Sequence, residues 1–202
     1  MSPVGGIQMR KKSHIILGKC LADHVDQIKY HKTAFCFGNL LPDLKPSFIT
    51  VRHEYNVNFE SVCASIRQLV EECGRFEFDS SYYWMQVGEV AHYVADYFTF
   101  PHNEHYTGTF MEHNYYEADL KNDLKAYILG GHAEQHFQKD VTFDSFEQII
   151  EFIKKAHKIY EMKERCVEED IKFIVTVCYQ VVQGIAHLVE ERLAEQLVPC
   201  FA

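Results

Sequence analysis

The chain has 202 residues and 47% hydrophobic residues, enough for one well-filled core. Its formal charge of −9 offers no basic face to duplex nucleic acid or anionic lipid. Seven cysteines with no Cys-x-x-Cys spacing read as unpaired thiols of a reducing compartment rather than a disulfide framework.

Residues 1–10, with Pro3, Gly5 and Gly6, are expected to form a flexible leader, and 11–202 a single domain. Arg10-Lys11-Lys12 is followed by an apolar run too short for a signal-peptide core, so a soluble cytoplasmic protein is expected. Ser13 predicts an N-cap for a helix reaching about Lys29, with His14, Leu17, Leu21, Val25 and Ile28 on the inward stripe. A short helix over 31–41 is broken by Leu41-Pro42-Asp43-Leu44-Lys45-Pro46. Residues 57–73 place Phe59, Val62, Cys63, Ile66, Leu69, Val70 and Cys73 at helical spacing, and Gly74 ends that helix.

Further helices are predicted over 82–100, closed by Pro101, and over 111–129, closed by Gly130-Gly131. Asp144-x-x-Glu147 reads as a capping box ahead of a helix that buries Phe146, Ile149, Ile150, Ile153 and Tyr160. The last helix runs from Val167 to Leu197 along Ile171, Ile174, Val175, Cys178, Val181, Val182, Ile185 and Leu188, with Glu168, Glu169 and Asp170 suiting its N-terminal dipole. Its most apolar stretch, Phe173 to Val189, carries Gln180, Gln183 and His187 and is not read as a transmembrane segment. The expected fold is all-α, a single multi-helix domain of about seven helices.

The chemistry gathers in His92-x3-Asp96-x5-His102-x10-His113-x3-Glu117. His92/Asp96 and His113/Glu117 each share one helix face, one turn apart, so each pair reaches one ion. Mixed imidazole and carboxylate ligands suit a catalytic zinc. Upstream, Asp43 and His53 lie in one irregular segment and would complete a site with His92 and Asp96. His102, His113 and Glu117 would form a second site with an open position for water, and His14 is a further candidate ligand. His31 is a weaker one.

Two zinc ions would outweigh the charge of Asp43, Asp96 and Glu117, so the loaded pocket favours a phosphoester. Among the aromatic residues near these ligands, Tyr55, Tyr106 and Phe110 are assigned to irregular segments and are the candidate substrate contacts, through cation–π attraction or stacking. His132-Ala-Glu-Gln-His136 is not a zinc-protease helix, because its Glu is displaced from the face the two histidines share.

The ligand order, with Gly38-Asn39-Leu40-Leu41-Pro42-Asp43 and the stretch His92 to His102, resembles the zinc-dependent phospholipase C family and the related zinc-dependent nucleases. The resemblance implies an all-helical fold. It also implies one zinc on His53, His92 and Asp96, with Asp43 as ligand or general base, and a second on His102, His113 and Glu117. A third zinc would share Asp96 with His14. Secreted members complete that site with a mature N-terminal Trp, whereas Ser13 precedes His14 here, so two zinc ions are expected and the third site is left incomplete. The implied substrate is a small phosphoester or phospholipid head group. A nuclease acting on short strands and a non-catalytic metal-binding member are the alternatives.

Overall fold

The structure, a computed structural model, describes residues 4–45, 53–137 and 141–196, with side chains described from residue 11. The segment 46–52, Leu197 at the expected end of the last helix, and Cys200 lie outside the described residues. Eight α-helices and no strands are present among the described residues: α1 (Val4–His24), α2 (Lys32–Gly38), α3 (Tyr55–Glu71), α4 (Arg75–Phe78), α5 (Ser81–Tyr97), α6 (Phe110–Leu129), α7 (Phe146–Glu161) and α8 (Val167–Glu195). The all-α expectation holds. The extra helix is α4, a single turn whose terminal Phe78 carbonyl accepts the Trp84 indole N–H at 2.9 Å. That link is tertiary, and a four-residue turn has no periodicity to announce it.

Several boundaries differ from expectation: α2 ends at Gly38 rather than 41, and α5 ends at Tyr97 rather than 100, ahead of a separate 3-10 turn over Phe100–His102. The α1 backbone continues ahead of Ser13 to Val4, so Ser13 is an interior helical residue rather than an N-cap. Residues 7–12 contain no breaker that would oblige the helix to start later. The same helix stops at His24, because Val25 turns extended (φ −105°, ψ 106°) before a 3-10 turn over Asp26–Ile28. The α7 capping box does not form: Ser145 is the N-cap, and Asp144 instead exchanges hydrogen bonds with Gln148. A full capping box does form at α6, where Thr109 and Glu112 satisfy one another's backbone N–H groups.

Helix α8 is the spine of the core, with Val175, Cys178, Val181, Val182, Ile185 and Val189 fully buried. It is the one described helix long and apolar enough to cross a membrane, and 72% of its most apolar stretch is buried within the fold. Helix α5 packs on α8 on one side and on α2 and α3 on the others, while α1 packs on α6.

The α2–α5 crossing sets the position of the functional residues. A Cβ added to Gly38 would collide with the Met85 carbonyl, and one added to Gly88 with the Phe35 carbonyl. The two backbones therefore touch without intervening side chains, one helical turn before His92. Gly88→Ala is expected to cost about 2–3 kcal/mol by overpacking. In a chain of this size that lowers Tm by about 5–10 °C, read by thermal unfolding.

Candidate metal centre

Six elements contribute to one buried cluster. Helix α1 supplies His14, the 3-10 turn Leu41–Leu44 supplies Asp43, and His53 lies just ahead of α3. Helix α5 supplies His92 and Asp96, the 3-10 turn Phe100–His102 supplies His102, and α6 supplies His113 and Glu117. All are buried except His113, which is partly so. Seven such side chains inside a core are tenable only where they satisfy one another or an ion.

Asp96 is the hub. Its Oδ2 lies 3.1 Å from His53 Nδ1, 3.3 Å from His92 Nε2 and 3.7 Å from His102 Nδ1, and its Oδ1 lies 3.2 Å from His14 Nε2. Glu117 Oε1 is 3.0 Å from His102 Nε2 and 3.1 Å from His113 Nε2. Asp43 Oδ1 stands 3.9 Å from His92 Nε2 and 4.0 Å from His53 Nδ1, while its Oδ2 is buried without a hydrogen-bond partner. Three groups each bring their ligand atoms within 4.8 Å of one another: His53, His92 and Asp96; His102, His113 and Glu117; and His14, Asp43 and His92. The first two are the sets anticipated above. In the last, His14 joins Asp43 and His92 in addition to its contact with Asp96.

Two carbonyls orient the histidines. A carbonyl only accepts, so His92 Nδ1 donates to Asn39 O at 3.0 Å, and His102 Nδ1 donates to His53 O at 3.3 Å. Each ring then turns its Nε2 lone pair toward the cluster, an outer-shell arrangement common to metal-ligating histidines. Sequence reasoning missed Asn39, because a main-chain acceptor has no residue-type signature.

The electrostatics are those of a site built for a cation. Burial pushes the Asp96 carboxyl up, but His102, His92 and His14 together outweigh it and hold it well below the ordinary carboxylate range. His14 is buried too, which lowers it, yet Asp96, Asp43 and Glu117 raise it above its usual value. His92 is driven down by burial and by His14, whose ring stacks on it at 3.8 Å. Burial thus disfavours charge on the imidazoles, while three converging carboxylates attract it.

The remaining candidates sort by position. His31 lies outside the cluster, with Nδ1 3.3 Å from Ser81 Oγ. Tyr55 and Phe110 are the first residues of α3 and α6 rather than parts of irregular segments. Only Tyr106 lies in an irregular stretch, with its ring 5.8 Å from that of His113. Tyr55 is stacked on His157 at 3.9 Å, and Phe110 is 66% exposed. His132 and His136 flank a 3-10 turn, and His136 bonds to Tyr127 and Thr176 instead of sharing a metal face with His132.

Among families of known proteins, the one described as zinc-dependent phospholipase C matches residues 13–167. No curated protein and no solved structure matches the chain. The matched span covers well over half of the sequence and reaches from one residue before His14 to the start of α8. On that coverage, the chain belongs to the zinc-dependent phospholipase C family.

Proposed function

We propose that this protein is a zinc-dependent hydrolase of small phosphoesters or phospholipid head groups, acting through metal-activated water. The observation that carries the reading is the convergence of three groups of ligand residues, two of them the expected sets, on one buried cluster inside the span matched to the family. Zinc bound there would supply a water acidified toward neutral pH and positive charge for the phosphoryl oxygens. His53, His92 and Asp96 would hold one ion, and His102, His113 and Glu117 the second. The donors are imidazoles and carboxylates, a set that suits a catalytic zinc. His14 belongs to a further group with Asp43 and His92 and would share Asp96 with the first ion.

Asp43 is the residue assigned to accept the water proton or to ligate the first ion. Its buried, unpartnered Oδ2 supports either role, since such an oxygen is costly unless it meets a cation or a proton. Tyr106 is the best placed of the proposed substrate contacts, and Phe110 offers an exposed ring at the start of α6. Tyr55 is assigned the same role, although its stack on His157 commits one face of the ring. A cytoplasmic location is part of the proposal, supported by six free thiols among the described residues.

The test is hydrolysis of an aryl phosphodiester and of a phosphocholine ester by zinc-loaded protein. Release of phosphocholine without nucleotides from short single strands is expected. Turnover of neither ester at two bound zinc ions would overturn the catalytic reading and favour a metal-binding member. Glu117→Ala is expected to lose one of the two ions while helicity persists, read by elemental analysis beside circular dichroism. Full retention of both ions would refute the assignment of the second triad.

A further inference from the structure

Asp170 lies on α8 beyond the span matched to the family, and its sequence context announces only a helix N-terminus. Its side chain is fully buried, at 0% exposure. Oδ2 accepts the Phe100 backbone N–H at 2.8 Å and the Tyr116 hydroxyl at 2.8 Å, and Oδ1 accepts the Tyr160 hydroxyl at 2.7 Å. Burial pushes this carboxyl up to about 6 in spite of the three donors.

The partners decide what the carboxylate does. Phe100 opens the 3-10 turn that carries His102. Tyr116 sits on α6 between His113 and Glu117, directly before the latter. One oxygen of Asp170 therefore ties together the two elements that carry the second triad. The rings of Phe100 and Tyr116 also meet edge to face, 6.0 Å apart, and the Arg165 guanidinium lies 5.4 Å over Phe100. The other oxygen points to Tyr160 on α7, which carries no member of either triad.

We propose that Asp170 is a positioning residue for the second metal set, holding the His102 turn in register with the face of α6 that bears His113 and Glu117. The inference rests on the metal reading above. Outer-shell partners bonded directly to a ligand alter metal affinity by about 10–100-fold, and Asp170, one link further out through Phe100 and Tyr116, is assigned the lower end of that range.

The experiment is competition of the zinc-loaded protein against chromophoric chelators, with the second set identified as the class of ion that Glu117→Ala lacks. Asp170→Ala is expected to weaken that class by about tenfold and leave the other unchanged. Asp170→Asn is expected to restore most of the affinity, because its carbonyl oxygen still accepts from Phe100 and Tyr116. Two further variants decide the matter even where Asp170→Ala does not fold. Tyr116→Phe and Tyr160→Phe each delete one hydroxyl donor to the same carboxylate. A merely structural Asp170 would make them equivalent, whereas positioning predicts faster zinc release from the second set in Tyr116→Phe alone. Equal release from the two tyrosine variants overturns the proposal. Two zinc ions in the wild type with unchanged affinity in Asp170→Ala also overturn it, and leave the metal reading standing. A wild type that binds no zinc overturns both.

Discussion

Asp96→Asn is expected to strip the first metal set and to lower kcat/KM by about a thousandfold or more, since an ion and its activated water supply several kcal/mol of transition-state stabilisation. The substitution preserves shape and removes one charge. What remains is a neutral amide facing His14, His53, His92 and His102, four groups that the carboxylate contacts. An amide oxygen is a poor ligand beside a carboxylate, and its NH2 group would point at an imidazole lone pair or at the ion. Zinc content by elemental analysis and hydrolysis of the aryl phosphodiester check the result together. Zinc content and rate both equal to wild type would remove Asp96 from the centre of the site.

Removing zinc from the whole protein is expected to lower Tm by about 15–30 °C. Each site contributes about 4 kcal/mol when free zinc exceeds its Kd a thousandfold, and each kcal/mol is worth about 2–4 °C in a chain of this length. The pH dependence has a definite sign. In the metal-free protein, the depressed Asp96 contributes stability that is present above its unfolded pKa and lost as pH falls through its lower folded value. The raised His14 contributes stability that is present below its unfolded pKa and lost as pH rises through its higher folded value. The metal-free form thus gains from this pair between those two limits, where both are charged. Zinc competes with protons for the same imidazoles, so its stabilisation fades on acidification. The gap in Tm between zinc-loaded and chelated protein is expected to widen from pH 5 to pH 8, as scanning calorimetry would show. A gap that narrows with rising pH would refute these imidazoles as zinc ligands, because the ion pairs of the metal-free cluster are themselves lost as pH rises and act to widen the gap.

Helical periodicity made the interior of the fold legible. The stripe Leu17, Leu21, Val25 and Ile28 is buried as spaced, and so is the stripe from Ile171 to Leu188 on α8. Element ends were less legible, because they depend on contacts remote in the chain. The stop of α1 at His24 and the extra turn α4 under Trp84 carry no local signature. The eight clustered residues were legible because ligand chemistry restricts residue type, and because i, i+4 spacing survives any error in helix ends. What holds them was not. The Asn39 carbonyl on His92 and the Asp170 carboxylate on Phe100 and Tyr116 depend on three-dimensional placement, and nothing in their spacing betrays it.

Asn39 and Asp43 belong to the same short stretch of chain, one orienting His92 through its carbonyl and the other standing beside His92 with its carboxylate. Length in this stretch is therefore coupled to chemistry. Inserting a single residue between them would displace the Asp43 side chain, or rotate the carbonyl that fixes the His92 tautomer, or both. Point substitutions around Asp43 test one property at a time, but an insertion or deletion here would alter two at once. Homologous segments grafted from one chain to another should accordingly work only when exchanged whole, from Gly38 to Asp43, with the glycine that lets α2 touch α5.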